Sequence, residues 1–322
     1  MNWSQELDAG FREQKQLLKY LGHDEASGSL GAQQQFSTRV PKGFADKMKR
    51  NDFNCPLLKQ VLPSSAELKL IDGYVIDPLQ ESQFNMMPGL LHKYHGRVLI
   101  TIAGSCAINC RYCFRRHFPY QDNRINLKQW QAIVDYIKND SSINEVIFSG
   151  GDPLMVQTKR LAEYIEPLES IKHLDTLRFH SRMPIVLPER IDAEFLELMA
   201  RLTLKKVMVV HCNHSEELCP KTAQALADLK KKGFVLLNQS VLLKGVNDHS
   251  KILAELSHKL FGQGVMPYYL HLLDKVKGTA HFDMTVADAK QIYKKLQIIL
   301  PGYLVPKLTR EIPSEKHKTL IN

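Results

Sequence analysis

Three cysteines, Cys106, Cys110 and Cys113, stand at C-x3-C-x2-C spacing inside Gly104-Ser105-Cys106-Ala107-Ile108-Asn109-Cys110-Arg111-Tyr112-Cys113-Phe114-Arg115-Arg116. Three thiolates on one short loop can hold three irons of a cubane iron–sulfur cluster and leave the fourth iron open to a ligand. A structural zinc site would require a fourth ligand, usually from a second C-x2-C or an H-x3–5-H pair. The remaining cysteines, Cys55, Cys212 and Cys219, form no such pair. Zinc and incidental cysteines remain as alternatives. The apolar, β-branched run 97–103 leads straight into the loop and reads as a buried strand, so the thiols sit at a strand's C-terminal end.

Other stretches carry chemically useful groups. In Ser149-Gly150-Gly151-Asp152-Pro153-Leu154, two glycines let a backbone approach a ligand closely, and Asp152 can accept from an ammonium. Alone, this is also an ordinary βα turn. In His180-Ser181-Arg182-Met183-Pro184, Arg182 is placed to meet a carboxylate or a ribose. The pair His211 and His214 reads either as metal ligands or as polar lining of a pocket. Asn238 to Asp248 adds polar groups at the head of another strand.

The elements that must position these groups alternate. Strands are expected over 97–103, 145–149, 176–180, 206–210, 235–240 and 268–272. Helical patterns lie near 127–138, 159–168, 193–201, 216–232, 251–261 and 286–300, with Asn126, Thr158, Asp192 and Thr285 as capping residues. Six β/α units in a row predict an α/β fold, a partial (β/α)6 TIM-like barrel whose ligand-bearing residues come from the strands' C-terminal ends. Residues 1–90 read as an irregular, mainly helical N-terminal extension, with a helix over 5–21 ended by Gly22, a loop over 27–35 and a short helix over 44–49. The barrel is expected over 91–300 and a short C-terminal tail over 301–322.

Composition narrows the class. At 322 residues, 44% hydrophobic and 24% charged, the chain is an ordinary globular protein. No apolar run approaches the roughly 20 residues that span a bilayer, and the N-terminus lacks a signal-peptide core. A cytoplasmic location without membrane attachment is expected, and six cysteines with three on one loop suit a reducing compartment. The formal charge of +9 is dispersed, and no nucleic-acid motif accompanies it, so solvated surface charge is favoured over nucleic-acid binding.

The combination of 106–116, 149–154, 180–191, 238–248 and 273–282 resembles the lysine 2,3-aminomutase family of radical S-adenosylmethionine (radical SAM) enzymes, over about residues 85 to 318. Residues 88–94 and 114–120 are most similar to its short form, which makes (R)-β-lysine for modification of translation elongation factor P. The resemblance implies an isomerase acting on L-lysine, with a [4Fe–4S] cluster, SAM and pyridoxal 5′-phosphate (PLP) as cofactors. It also implies a one-electron donor of flavodoxin or ferredoxin type. The family's larger members carry an extra region with oligomer contacts, so a dimer or monomer is expected. Alternatives are another radical SAM enzyme, acting on a different amino acid or transferring a methyl group, and a non-catalytic or zinc-binding protein that interacts with the translation-factor modification machinery.

Carried over residue by residue, the resemblance makes Cys106, Cys110 and Cys113 the cluster ligands. Ser149, Gly150, Gly151 and Asp152 fall where SAM's amino group is held, and Arg182 and His211 line its pocket. Lys318 matches the lysine that carries PLP, with Lys316 in reserve, although the family's glycine-rich approach is replaced here by Pro313-Ser314-Glu315. Lys93 and Arg97 align with residues that contact the phosphate. Arg115 matches the arginine that grips the substrate carboxylate, Asp274 a residue that holds the ε-ammonium, and Glu311 stands where the family usually has an aspartate. Arg111 and Arg116 read as structural or as phosphate-side. The basic tail is expected to be ordered by its phosphate contacts.

Overall fold

Alternation with period two organises the barrel. The computed structural model describes residues 2–313 and 315–321. Its sheet has ten strands in chain order: β1 Asn85–Met87, β2 Leu90–Tyr94, β3 Arg97–Ala103, β4 Glu145–Gly150, β5 Thr176–Ser181, β6 Lys205–His211, β7 Phe234–Val241, β8 Met266–His271, β9 Lys307–Arg310 and β10 Thr319–Leu320. Strands β3 to β9 run parallel, each hydrogen-bonded to the next. Val98, Ile100, Val146, Phe148, Leu177, Phe179 and Met208 turn to the outer, helix-covered core. Their neighbours Leu99, Ile147, Arg178, His180 and His211 face a cavity inside the barrel. One strand sequence thus supplies both core and site.

The covering helices follow the complementary period. In the helix Leu127–Asn139, Trp130, Ile133, Val134 and Ile137 are buried, an i, i+3, i+4, i+7 stripe. Its start is fixed by a capping box between Asn126 and Gln129. Phe179 is fully buried and its ring packs against those of Phe148, Phe195 and Phe234. A phenylalanine so placed contributes about 3–5 kcal/mol relative to alanine.

Several elements depart from expectation. The helix expected over 216–232 is a 3-10 turn Ser215–Glu217 followed by the helix Pro220–Lys231. Pro220 has no N–H to give to the preceding turn and disfavours helical backbone at Cys219, so it starts a helix here. Thr158 is the first helical residue rather than the cap. The helix expected over 5–21 divides into Trp3–Asp8 and Gln14–Tyr20. Between them Phe11 pairs with Val40, and Gly10 lies so close that a Cβ there would be 2.7 Å from the Val40 carbonyl oxygen. The loop expected over 27–35 contains the helix Leu30–Gln35, capped by the Ser29 hydroxyl on the Ala32 N–H. The short helix expected over 44–49 is Lys42–Ala45.

The sheet also exceeds the six expected strands. The antiparallel pair β1–β2 precedes β3, β9 extends the parallel series, and β10 returns antiparallel on β9. The tail is therefore held by its own backbone pairing, not by ligand contacts alone. Trp3, Leu17, Phe44 and Leu57 belong to the same apolar core as β3 to β7, so residues 1–90 complete the barrel's packing. Arg111, with no exposed surface, donates to both Glu67 carboxylate oxygens at 2.9 and 2.6 Å, and Arg116 donates to Glu67 at 2.8 Å. Both arginines clamp the cysteine loop onto the extension, which settles them as structural.

Candidate active site

At the C-terminal ends of the parallel strands, a cavity of about 520 Å³ gathers Cys106, Cys110, Cys113, Arg115, Asp274 and Lys318 in its wall. The loop that carries the cysteines is held by the next strand's turn. The Gly151 N–H donates to the Ala103 carbonyl at 2.7 Å, and the Asp152 N–H to that of Ser105 at 2.9 Å. Gly150 has φ +118°, and a Cβ on Gly151 would stand 2.3 Å from the Ser105 carbonyl oxygen. The close approach read from these glycines is therefore made to the cysteine loop. Gly151→Ala is expected to push that loop away and lower iron and sulfide content several-fold after anaerobic reconstitution. Gly43→Ala, with nothing within 4 Å of its Cβ, is the control and should load fully.

Asp152 also takes a different part from the one expected. Its carboxylate accepts from the Ser181 hydroxyl at 2.7 Å and from the backbone N–H groups of Leu154, Arg182 and Met183 at 3.0, 2.7 and 3.2 Å. It ties the β4 turn to the end of β5 and is not left to receive a ligand ammonium. Arg182 likewise meets a carboxylate, but an internal one. It donates to Glu217 at 2.9 Å, Gln60 at 2.7 Å, Tyr112 at 2.8 Å and the Cys110 sulfur at 2.7 Å. His211 bonds the Tyr112 hydroxyl at 2.8 Å, and burial beside the Arg182 charge lowers its pKa to about 3, so the imidazole is neutral. His214 instead accepts from the Glu216 N–H as a cap, so the two histidines do not act as a pair.

Burial pushes the Cys106 thiol up, and the Cys113 thiol up to about 12. Loading iron must then displace protons from the loop. Among the described residues, no three Cys, His, Asp or Glu side chains converge on a single-ion site. Tetrahedral zinc, with Zn–S of about 2.3 Å, would need that convergence. A cubane gives each thiolate its own iron, and the donor set fits it.

Across the cavity, Glu311 is the hub. Its carboxylate accepts from Lys93 at 3.1 Å, Tyr94 at 2.8 Å and Lys318 at 2.8 Å. Burial acts to raise its pKa, but the Lys318 and Lys93 charges and the Tyr94 hydroxyl hold it well below the carboxylate range. Lys318 also lies over the Tyr269 ring, 5.7 Å from its centre, whereas Lys316 is exposed. Arg97 stacks on Tyr94 at 4.7 Å and faces the same cavity. An amine beside two further cations and stacking tyrosines fits an aromatic aldehyde bearing a phosphate.

Arg115 and Asp274 complete the wall. The Arg115 Nε and Nη2 groups donate to Glu81 at 2.8 and 2.5 Å, and Nη1 donates to the Ser149 hydroxyl at 3.0 Å. The bidentate face expected to grip a ligand carboxylate is thus taken by a residue of the chain itself. Burial, and then the Glu311 charge, raise the Asp274 pKa to about 7. Nothing near Glu81 or Tyr94 in sequence marked them. Tyr94 only adjoins Lys93, and Glu81 lies 34 residues before its partner.

The chain matches the Radical SAM superfamily over residues 100–256, so fold and cysteine loop define a radical SAM protein. It is 50% identical to L-lysine 2,3-aminomutase of Haemophilus influenzae over 321 residues, covering 99% of this chain and 95% of that one. It is 47% identical to the Escherichia coli enzyme of the same name, covering 99% and 94%. With that of Clostridium subterminale the identity is 33%, over 99% of this chain and 77% of the other. This chain belongs to the lysine 2,3-aminomutase family.

Proposed function

We propose that this chain converts L-lysine to β-lysine by moving the amino group from C2 to C3, with a [4Fe–4S] cluster, SAM and PLP. One observation carries the reading: a single cavity joins the three-cysteine loop, a lysine amine and oppositely charged groups suited to the two ends of a basic amino acid. One-electron reduction of SAM at the cluster supplies a hydrogen-abstracting radical, and PLP supplies the conjugated system on which nitrogen can migrate.

The chain's own residues bind, orient and screen. Cys106, Cys110 and Cys113 hold the cluster, while Ser149, Gly150 and His211 line the space beside it for SAM. Lys318 anchors PLP, with Lys93 and Arg97 toward its phosphate. Arg115 takes the lysine carboxylate, and Asp274 and Glu311 take the ε-ammonium. Anaerobic incubation with SAM, PLP, a reductant and L-lysine should give β-lysine on chromatography, and absence of product with a loaded cluster refutes the reading.

Asp274 gives the binding step a pH dependence. Its raised pKa leaves it protonated below about 7, where it offers no charge to an ammonium. Lysine affinity should therefore rise as pH increases through about 7, and Asp274→Asn should flatten that rise in a calorimetric titration. The sign for stability is opposite. Between 3.8 and about 7 the folded chain binds the extra proton, so its stability falls as pH rises across that window.

The reading extends to an external one-electron donor of flavodoxin or ferredoxin type, for which a surface groove beside Gly104, Ser105 and Arg124 opens next to the cysteine loop. No described helix is long and apolar enough to cross a membrane. Modification of elongation factor P as the use of the product follows the resemblance at residues 88–94 and 114–120, and a dimer or a monomer is the expected assembly.

A further inference from the structure

Both charged ends of the cavity are already engaged by groups of the chain. Lys318 places an amine on Glu311 at 2.8 Å. Glu81 places a carboxylate on Arg115 with two hydrogen bonds, at 2.8 and 2.5 Å, and both side chains are mostly buried, at 7% and 15% exposure. Glu81 does not come from the barrel. It opens the 3-10 turn Glu81–Phe84, which Asp77 holds through the Glu81 N–H at 3.0 Å and the Ser82 hydroxyl at 3.2 Å. The residue before it, Gln80, has φ +51°, a conformation that a side chain other than glycine or asparagine seldom adopts. The surrounding strap is tied to the far side of the mouth by the Val75–Val276 bridge and by the Tyr74 hydroxyl on Asp283 at 2.6 Å. Leu79, Glu81 and Phe84 of this strap line the cavity.

We infer that Glu81 is an internal stand-in for the substrate carboxylate: it holds Arg115 in the gripping orientation and yields that guanidinium edge when an amino acid binds. The inference rests on the reading of Arg115 as the carboxylate-binding residue. A guanidinium has two edges that can grip a carboxylate with paired N–H groups, Nε with Nη2 and Nη1 with Nη2. With Nη1 directed at Ser149, a ligand carboxylate and Glu81 compete for the remaining edge. Two carboxylates on one fork also repel. Binding must therefore free Glu81 and loosen the turn that carries it, so Glu81 sets the affinity for ligands that bear a carboxylate and leaves others untouched.

The test uses the reconstituted holoenzyme and its Glu81→Gln variant, titrated calorimetrically with L-lysine and with 1,5-diaminopentane, which lacks the carboxylate. Glu81→Gln should bind L-lysine roughly tenfold more tightly, the low end for a charged hydrogen bond, with diaminopentane affinity unchanged. In the unaltered protein, hydrogen exchange over residues 77–84 should speed up when L-lysine binds and not when diaminopentane binds. Equal lysine affinity in both proteins, or weaker binding in the variant, overturns the stand-in and makes Glu81 a fixed support for Arg115. Unchanged exchange over 77–84 overturns it even where the variant fails to fold. Failure of the unaltered holoenzyme to bind lysine at all would remove the substrate reading and the stand-in with it.

Discussion

Cys110→Ala protein, reconstituted anaerobically, is expected to hold no intact cubane cluster and to leave SAM uncleaved. Each of the three thiols serves a separate iron, so losing one exposes a corner of the cluster to solvent and exchange. Cys110 is also the thiol whose sulfur lies 2.7 Å from the Arg182 guanidinium, inside the buried network of Gln60, Tyr112 and Glu217. Cys106→Ala and Cys113→Ala should behave alike. Cys55 and Cys212 are buried among other partners, accepting from the Lys49 N–H and donating to the His214 carbonyl, so their replacement should leave iron content unchanged. Iron and sulfide analysis with the electron paramagnetic resonance of the reduced protein decides the matter. A full cluster with SAM cleavage in Cys110→Ala would refute the assignment.

Lys318→Ala is expected to lose the visible absorbance of bound PLP while keeping its cluster and its SAM cleavage. Its amine lies in the cavity wall on Glu311, and a replacement leaves Glu311 still held by Lys93 and Tyr94. The rest of the site should therefore stand. A covalent anchor to an aldehyde needs an amine, so alanine removes the bond and leaves only phosphate and stacking contacts. Borohydride reduction followed by peptide mapping should place the label on Lys318. Label on exposed Lys316 would move the site by two residues, and label on neither would remove PLP from the reaction.

The sequence makes some of this plain and hides the rest for physical reasons. The strand β3 and the cysteine loop are legible because a long apolar run and a rigid ligand spacing each leave a local signature. Helices with side-chain caps, such as those beginning after Asn126 and Asp192, are legible for the same reason. The edge strands are not. Asn85 and Met86 in β1 are exposed, and β10 is only Thr319 and Leu320, so neither shows an apolar pattern. Asp152 and Arg182 have the right chemistry for ligands, yet their partners, Ser181 and Glu217, come from other elements and consume it. Glu81 is the extreme case, a residue on an irregular strap whose role appears only once Arg115 lies opposite.

The sheet's order gives a final consequence. Among the described residues, the strands run from β1 to β10 without a ladder joining the first edge to the last. The two ends of the sheet are linked instead through side chains, with Lys93 and Tyr94 of β2, beside one edge strand, reaching Glu311 between β9 and β10. A closed barrel would have to break backbone pairing to admit a flat aromatic guest from the side. Here the seam is held by one carboxylate, through the Lys93 ion pair and the Tyr94 hydrogen bond. Parting the two ends of the sheet there would cost the Lys93 ion pair and the Tyr94 hydrogen bond to Glu311, and no backbone ladder.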